Sequence, residues 1–233
     1  MMNRQLKRSG KIVEIIKKVS LLVAMLLCVF SNLSMTVSAQ EEVSDGGTIS
    51  GTFSDYIPYK KFNNYQYIGF GTGFENQYTI LEYSPDQNGV FQIVMLVNGV
   101  AKAYVYQQRS NGLYELACVD SYGDVEDLRY STQVAGNGES LILPNNLSIG
   151  YQYYSGYNNE YVRTIRDILP TYEKNNKSYQ EVVMIEETGY ADGSHMNYYL
   201  APTYGIICIE RVDADGNLVA ESSLSEVYNT VYE

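Results

Sequence analysis

The chain carries one histidine, so any Ser-His-Asp or Cys-His nucleophilic arrangement would have to be built on it. His195 lies in Asp192-Gly193-Ser194-His195, a turn leading into the run Met196–Ala201. Ser194 is its sequence neighbour, a spacing that points strand side chains to opposite faces, and His195 reads as a surface histidine. A zinc site of the Cys/His kind needs more ligands than one histidine and the two separated cysteines Cys118 and Cys208. Asp213-Ala214-Asp215-Gly216-Asn217 opens like a calcium loop, but its twelfth position, where a bidentate carboxylate belongs, is Leu224. A hairpin turn explains those residues instead. No Gly-x-Ser-x-Gly elbow or phosphate loop occurs. Carboxylates are plentiful, and Asp124, Glu126, Asp127, Glu186 and Glu187 read as a solvated acidic surface. The sequence therefore predicts no catalytic residue, no metal site, no cofactor and no enzyme, with a hydrolase using a carboxylate pair kept as an alternative.

Tyrosine is the unusual residue, at 24 positions in a chain without tryptophan. Its apolar body and polar tip suit it to the rim of a β core or to a binding face. Three pairs are spaced to share one face of a strand: Tyr65 and Tyr67, Tyr104 and Tyr106, Tyr151 and Tyr153. They stand as packing residues or as the aromatics of a binding face.

The elements that would position these side chains are strands. After residue 48, short runs of β-branched and aromatic residues alternate with turn residues, and no long amphipathic helix stands out. The clearest unit joins Val90–Val97 to Val100–Tyr106 through Asn98-Gly99, the dipeptide of a tight hairpin. Further runs are Gln77–Tyr83, Leu113–Val119, Tyr161–Ile168, Glu181–Glu187, Met196–Ala201, Ile206–Val212 and Leu218–Leu224. Turn signals stand at Asp86-Gln87-Asn88-Gly89, Ser110-Asn111-Gly112 and Gly136-Asn137-Gly138. Tyr122–Ser131 is the segment most open to a short helix. Pro58 and Tyr65-Gln66-Tyr67 are echoed 86 residues later by Pro144 and Tyr151-Gln152-Tyr153, which would fit two related units in tandem. The expected fold is an all-β antiparallel meander forming a curved sheet or open barrel. A single β-rich domain spans 51–233, with room for similar halves at about 51–140 and 141–233.

The N-terminus reads as a signal peptide, residues 1–39. Six basic residues lie in the first eighteen, an apolar run follows from Leu21 to Phe30, and Val37-Ser38-Ala39 precedes an acidic turn. Cleavage is expected between Ala39 and Gln40, leaving a flexible 40–50 segment; an uncleaved membrane anchor is the competing reading. Removing residues 1–39 leaves 10 basic against 26 acidic side chains, a net charge of −16. Such a surface repels nucleic acid and anionic headgroups. Contact with the membrane is then expected only transiently, through the signal peptide. Export permits a disulfide between Cys118 and Cys208, while their apolar surroundings equally suit buried free thiols.

The segment Tyr198-Tyr199-Leu200-Ala201-Pro202-Thr203-Tyr204-Gly205-Ile206-Ile207 resembles a C-terminal hairpin of secreted Firmicutes β proteins of envelope or lipoprotein type, whose pattern is Tyr-Tyr-x-Ala-Pro-Gly-Val-Gly-Leu-Val. The stretches around Pro58…Tyr65-x-Tyr67 and Pro144…Tyr151-x-Tyr153 are similar to the openings of the same group. Here Thr203 replaces the first hairpin glycine, and tyrosines stand where the group has tryptophan. The resemblance implies a curved antiparallel sheet without established chemistry. Together these readings predict a secreted or cell-surface binding protein for a peptide, glycan or lipid ligand. The alternative is a carrier holding a lipid or other apolar ligand in the concave face of the sheet.

Overall fold

A computed structural model describes residues 47–134 and 138–230. The signal peptide, its cleavage point and the Gly136-Asn137 turn lie outside the described residues. Among these residues twelve strands follow one another: β1 (Asn64–Phe70), β2 (Gln77–Tyr83), β3 (Val90–Val97), β4 (Val100–Arg109), β5 (Gly112–Val119), β6 (Ser140–Pro144), β7 (Gln152–Ser155), β8 (Tyr161–Lys174), β9 (Lys177–Thr188), β10 (His195–Ala201), β11 (Gly205–Val212) and β12 (Leu218–Tyr228). Asn98 and Gly99 take positive φ (51° and 78°), as the tight β3–β4 turn demands, and the ladder runs in unbroken register from Val97↔Val100 to Val90↔Gln107. No helix among the described residues is long and apolar enough to cross a membrane.

All neighbours in the sheet are antiparallel, in the order β6-β5-β4-β3-β2-β1-β12-β11-β10-β9-β8-β7. Each half of that order is a six-strand meander, β1–β6 and β7–β12, and the β1–β12 ladder joins the two. The sheet curls into a nearly closed barrel with β6 and β7 as its end strands. Curling lets one face bury its side chains against one another. The core is built there by Tyr65, Phe91, Ile93, Leu113, Ile165, Ile185, Ile207 and Leu224.

A second apolar cluster unites Val90, Ala103, Val105, Leu116 and Ala117 with Leu128, which comes from the loop after β5. That loop contains Tyr122–Ser131 and forms turns and irregular backbone, not the short helix its sequence allows. Its backbone groups find partners elsewhere. Gln92 on β3 donates from Nε2 to the Glu126 carbonyl (2.8 Å) and accepts at Oε1 from the Leu128 N–H (2.8 Å). A buried amide thus satisfies a donor and an acceptor that a helical turn would otherwise pair internally.

The β8–β9 hairpin is longer than its sequence pattern suggests, because strand β8 continues through Pro170. Proline lacks an N–H, and it stands opposite Glu181, between the pairs Leu169↔Val182 and Thr171↔Gln180. Glu181 takes a left-handed φ of 52° there, and the turn beyond uses Asn175 and Asn176, both at positive φ (51° and 59°). The tip rests on β12: Lys174 pairs with Glu221 (2.7 Å), Asn175 Nδ2 donates to the Leu224 carbonyl (3.0 Å), and Lys177 Nζ donates to the Ser225 carbonyl (2.7 Å).

Candidate functional site

The segment before β1 forms a plug. Phe53–Tyr56 makes a single 3-10 turn, in which the Asp55 carboxylate accepts from the Thr52 N–H (2.7 Å). The Thr203 N–H donates to the Asp55 carbonyl (2.7 Å), and the Tyr56 hydroxyl donates to the Glu181 carbonyl (2.7 Å). Pro58 packs against the β10–β11 turn, where a Cβ on Gly205 would lie 2.9 Å from the Pro58 Cβ. Tyr59 holds the left-handed φ of 67°, unusual for an aromatic residue. Two hydrogen bonds fix it: its N–H donates to the Tyr65 hydroxyl (3.0 Å), and its own hydroxyl donates to Thr79 Oγ1 (2.8 Å).

Behind this plug lies a cavity of about 120 Å³, walled by the aromatic rings of Tyr56, Tyr59, Tyr67, Phe91 and Tyr106, by aliphatic side chains of β3, β5, β6, β10 and β11, and by Ser222 of β12. Tyr67 spends its hydroxyl on the Ile206 carbonyl (3.0 Å). Burial pushes the phenols of Tyr59, Tyr67 and Tyr106 upward, so these walls stay neutral throughout the physiological range.

The second built site is the seam between β6 and β7. No ladder joins these strands, and side chains span the gap. Arg163 Nη1 (2.9 Å) and the Tyr153 hydroxyl (3.1 Å) both donate to the Ile142 carbonyl of β6, and the Gly156 N–H donates to Ser140 Oγ (2.7 Å). Arg163 is ion-paired with Glu187 (2.5 Å). The Glu187 carboxylate also accepts from Ser155 Oγ (3.0 Å), the Tyr190 hydroxyl (2.5 Å) and the Tyr198 hydroxyl (3.1 Å). Burial acts to raise its pKa, but the arginine charge and these donors outweigh burial and hold it below the usual carboxylate range. Glu115 faces the same region, accepts from the Tyr157 hydroxyl (2.7 Å), and is raised by burial. Glu187 is therefore no surface carboxylate, contrary to the sequence reading; it is 3% exposed. Neither it nor Glu115 lines the cavity behind the plug.

A third cluster lies near the β8–β9 tip, where Cys208, Glu210 and Glu221 bring ligand atoms within 4.8 Å of one another. The cation already present is Lys174, on Glu221, while the Tyr199 hydroxyl donates to Glu210 (3.0 Å). Burial raises the Cys208 thiol to about 12, so the sulfur is protonated at neutral pH.

The six tyrosines singled out by spacing do not make one exposed face. Tyr65 and Tyr153 are buried, Tyr67, Tyr104 and Tyr106 are packed against the core, and Tyr151 alone is exposed, at 37%. Tyr104 and Tyr106 stack at 6.2 Å and Tyr151 and Tyr153 at 6.3 Å, so the shared-face spacing produces ring contacts. Of the two states the sequence leaves open for Cys118 and Cys208, the structure has free thiols, on β5 and β11, with five strands between them in the sheet order. His195 begins β10 opposite Val212, while Asp192 bonds to Ser194 (2.6 Å) and Arg211 (2.6 Å). Asp213 accepts from the N–H groups of Asp215 (3.0 Å) and Asn217 (2.8 Å) within its own turn, as a hairpin turn requires. Sequence reasoning missed the plug and the Arg163–Glu187 pair. Alternation of the β8 and β9 residues was the available signal for the latter, since Arg163 and Glu187 stand directly opposite each other across that hairpin.

No family model and no curated protein matches the chain. Among solved structures it is similar to a protein described as exported, with a YmcC-like fold, from Bacteroides fragilis: 12% identity over 73% of this chain and 97% of that one, TM-score 0.41. A protein described as a lipoprotein, from Parabacteroides distasonis, is similar at 12% identity over 74% of this chain and 97% of its own, TM-score 0.41. Neither comes from the Firmicutes of the sequence resemblance.

Proposed function

We propose that this chain is an exported, non-catalytic interaction protein whose barrel serves as a rigid scaffold and whose partner docks on the outer surface. The observation that carries this reading is the filled interior. Tyrosine, phenylalanine and aliphatic side chains occupy the space a carrier would leave open, and the cavity behind the plug is about 120 Å³. Sites for drug-sized ligands span ~300–1,000 Å³, and a lipid tail needs no less. Buried carboxylates occur at the seam, but they are engaged by arginine, serine and tyrosine donors. They lie away from the cavity, which disfavours the hydrolase alternative. Export rests on the N-terminal charge, apolar run and small-residue order.

The test is native mass spectrometry of the mature protein taken from its own host, followed by solvent extraction. The expected result is a protein free of stoichiometric lipid, with an N-terminus at Gln40. A lipid recovered at one per chain would overturn the scaffold reading in favour of a carrier.

A further inference from the structure

We propose that the cavity behind the plug is a binding site for a small, neutral, single-ring aromatic molecule bearing one hydroxyl, the phenol class. Its volume sets the size. About 120 Å³ lies just below the ~150 Å³ of an engineered apolar cavity that binds benzene, so one six-membered ring fits and a fused or chain-bearing ligand does not. The walls set the character. Five aromatic rings and a set of aliphatic side chains face the space, every phenol among them remains neutral, and no charged side chain lines it. An ion placed there would lose its hydration without compensation.

The hydroxyl follows from Ser222. This residue sits on β12 opposite Ile209 of β11 and Gly69 of β1, is buried to 1% exposure, and lines the cavity. The tyrosine hydroxyls on the wall are already committed, that of Tyr56 to Glu181, that of Tyr59 to Thr79, that of Tyr67 to Ile206 and that of Tyr106 to Glu115. Ser222 Oγ has no hydrogen-bond partner among the described residues. A ligand hydroxyl, offering both a proton and a lone pair, would be able to bond with it inside the cavity. The short serine side chain is also what leaves room, since its strand neighbour two positions on, Leu224, fills the same face completely.

The test is titration of the full mature protein with phenol and, separately, toluene, followed by nuclear magnetic resonance. Saturable binding of both is expected, with phenol tighter by ~3- to 10-fold, the worth of one hydrogen bond. Nuclear Overhauser contacts should join the phenol ring protons to the methyl groups of Ile93, Met95 and Ile209. Ser222→Ala should bring phenol down to the affinity of toluene and leave toluene unchanged. Absence of saturable binding by the wild-type protein overturns the proposal, as does binding without contacts to those methyls. Phenol affinity that survives Ser222→Ala intact overturns the assignment of Ser222. The wild-type contacts decide the matter even where the variant does not fold.

Discussion

Where β1 meets β12, seven residue pairs from Asn64↔Tyr228 to Phe70↔Glu221 close the sheet through backbone hydrogen bonds, interrupted by one bulge between Gln66 and Tyr67. Where β6 meets β7, no ladder forms, and Arg163, Tyr153, Ser140 and Tyr157 bridge the gap with side chains. The first junction depends on backbone groups that every residue carries and on apolar packing beneath them. The second depends on a few side chains, one of which, Arg163, is ionised, buried and held by the buried Glu187 carboxylate. Closure by backbone is therefore indifferent to acid and tolerant of surface substitution, while closure by side chain is vulnerable to both a single mutation and a change of pH.

The largest effect separating the two junctions is expected from Arg163→Met, which leaves the Glu187 carboxylate buried without its counter-charge. Breaking such a pair costs about 3–5 kcal/mol. Urea unfolding should show that loss, and the double variant Arg163→Met with Glu187→Met should recover most of it; a single variant within experimental error of wild type would end the view of the seam as a charge-dependent clasp. At the other junction, Leu224→Ala removes a fully buried side chain from β12. The expected cost is about 2–5 kcal/mol. Here the loss should stay constant across the carboxylate titration range, and a loss that varied with pH would erase the contrast.

Acid should sharpen the contrast next. Glu187 is depressed in the folded protein, so its stabilisation is present above the ordinary glutamate value of about 4.3 and disappears as pH falls through the lower folded value. Glu115 is raised, which has the opposite sign: its charged form destabilises the fold above its folded pKa, and the penalty vanishes as the pH drops below about 4.3. Glu115→Gln should consequently raise the unfolding midpoint near neutrality and have no effect in acid. Equal midpoints at neutral pH would show that the Tyr157 hydrogen bond fully offsets the burial cost. The smallest effect belongs to Arg166→Ala. Its pair with Glu186 is adjacent to the seam in sequence but solvent-exposed on the arginine side, and about 0–1 kcal/mol is expected. A larger loss in a thermal melt would mean that proximity to the seam, more than burial, governs these ion pairs.

Much of the sheet was legible because its signals are local. Asn98-Gly99 dictates a turn through the backbone angles of two residues, and Gln77–Tyr83 is bounded by turn residues at both ends. The β8–β9 hairpin was legible only to Ile168, since Pro170 reads as a strand end. It is tolerated because Glu181 opposite takes up the bend and the Asn175-Asn176 turn lies beyond it. The loop at Tyr122–Ser131 misled for a related reason: the groups that satisfy its backbone belong to Gln92, thirty residues upstream of Tyr122. The candidate cavity was the least legible feature. It depends on the plug at Tyr56–Tyr59 meeting β2, β4, β11 and β12 in space, and no spacing along the chain encodes that meeting. The Tyr-x-Tyr pairs correctly place side chains on one face, but period two does not say whether that face turns inward.

The short end strands β6 and β7, five and four residues long, are turned toward each other across the seam. The Ile142 carbonyl on that edge is already occupied by Arg163 and Tyr153. Among the described residues the barrel therefore offers no long bare strand margin on which an incoming peptide could extend the sheet by β-augmentation, or on which copies of the chain could nucleate cross-β association. A partner must be recognised through loops and side chains, and a peptide probe made to pair as an added strand should find nothing to hold.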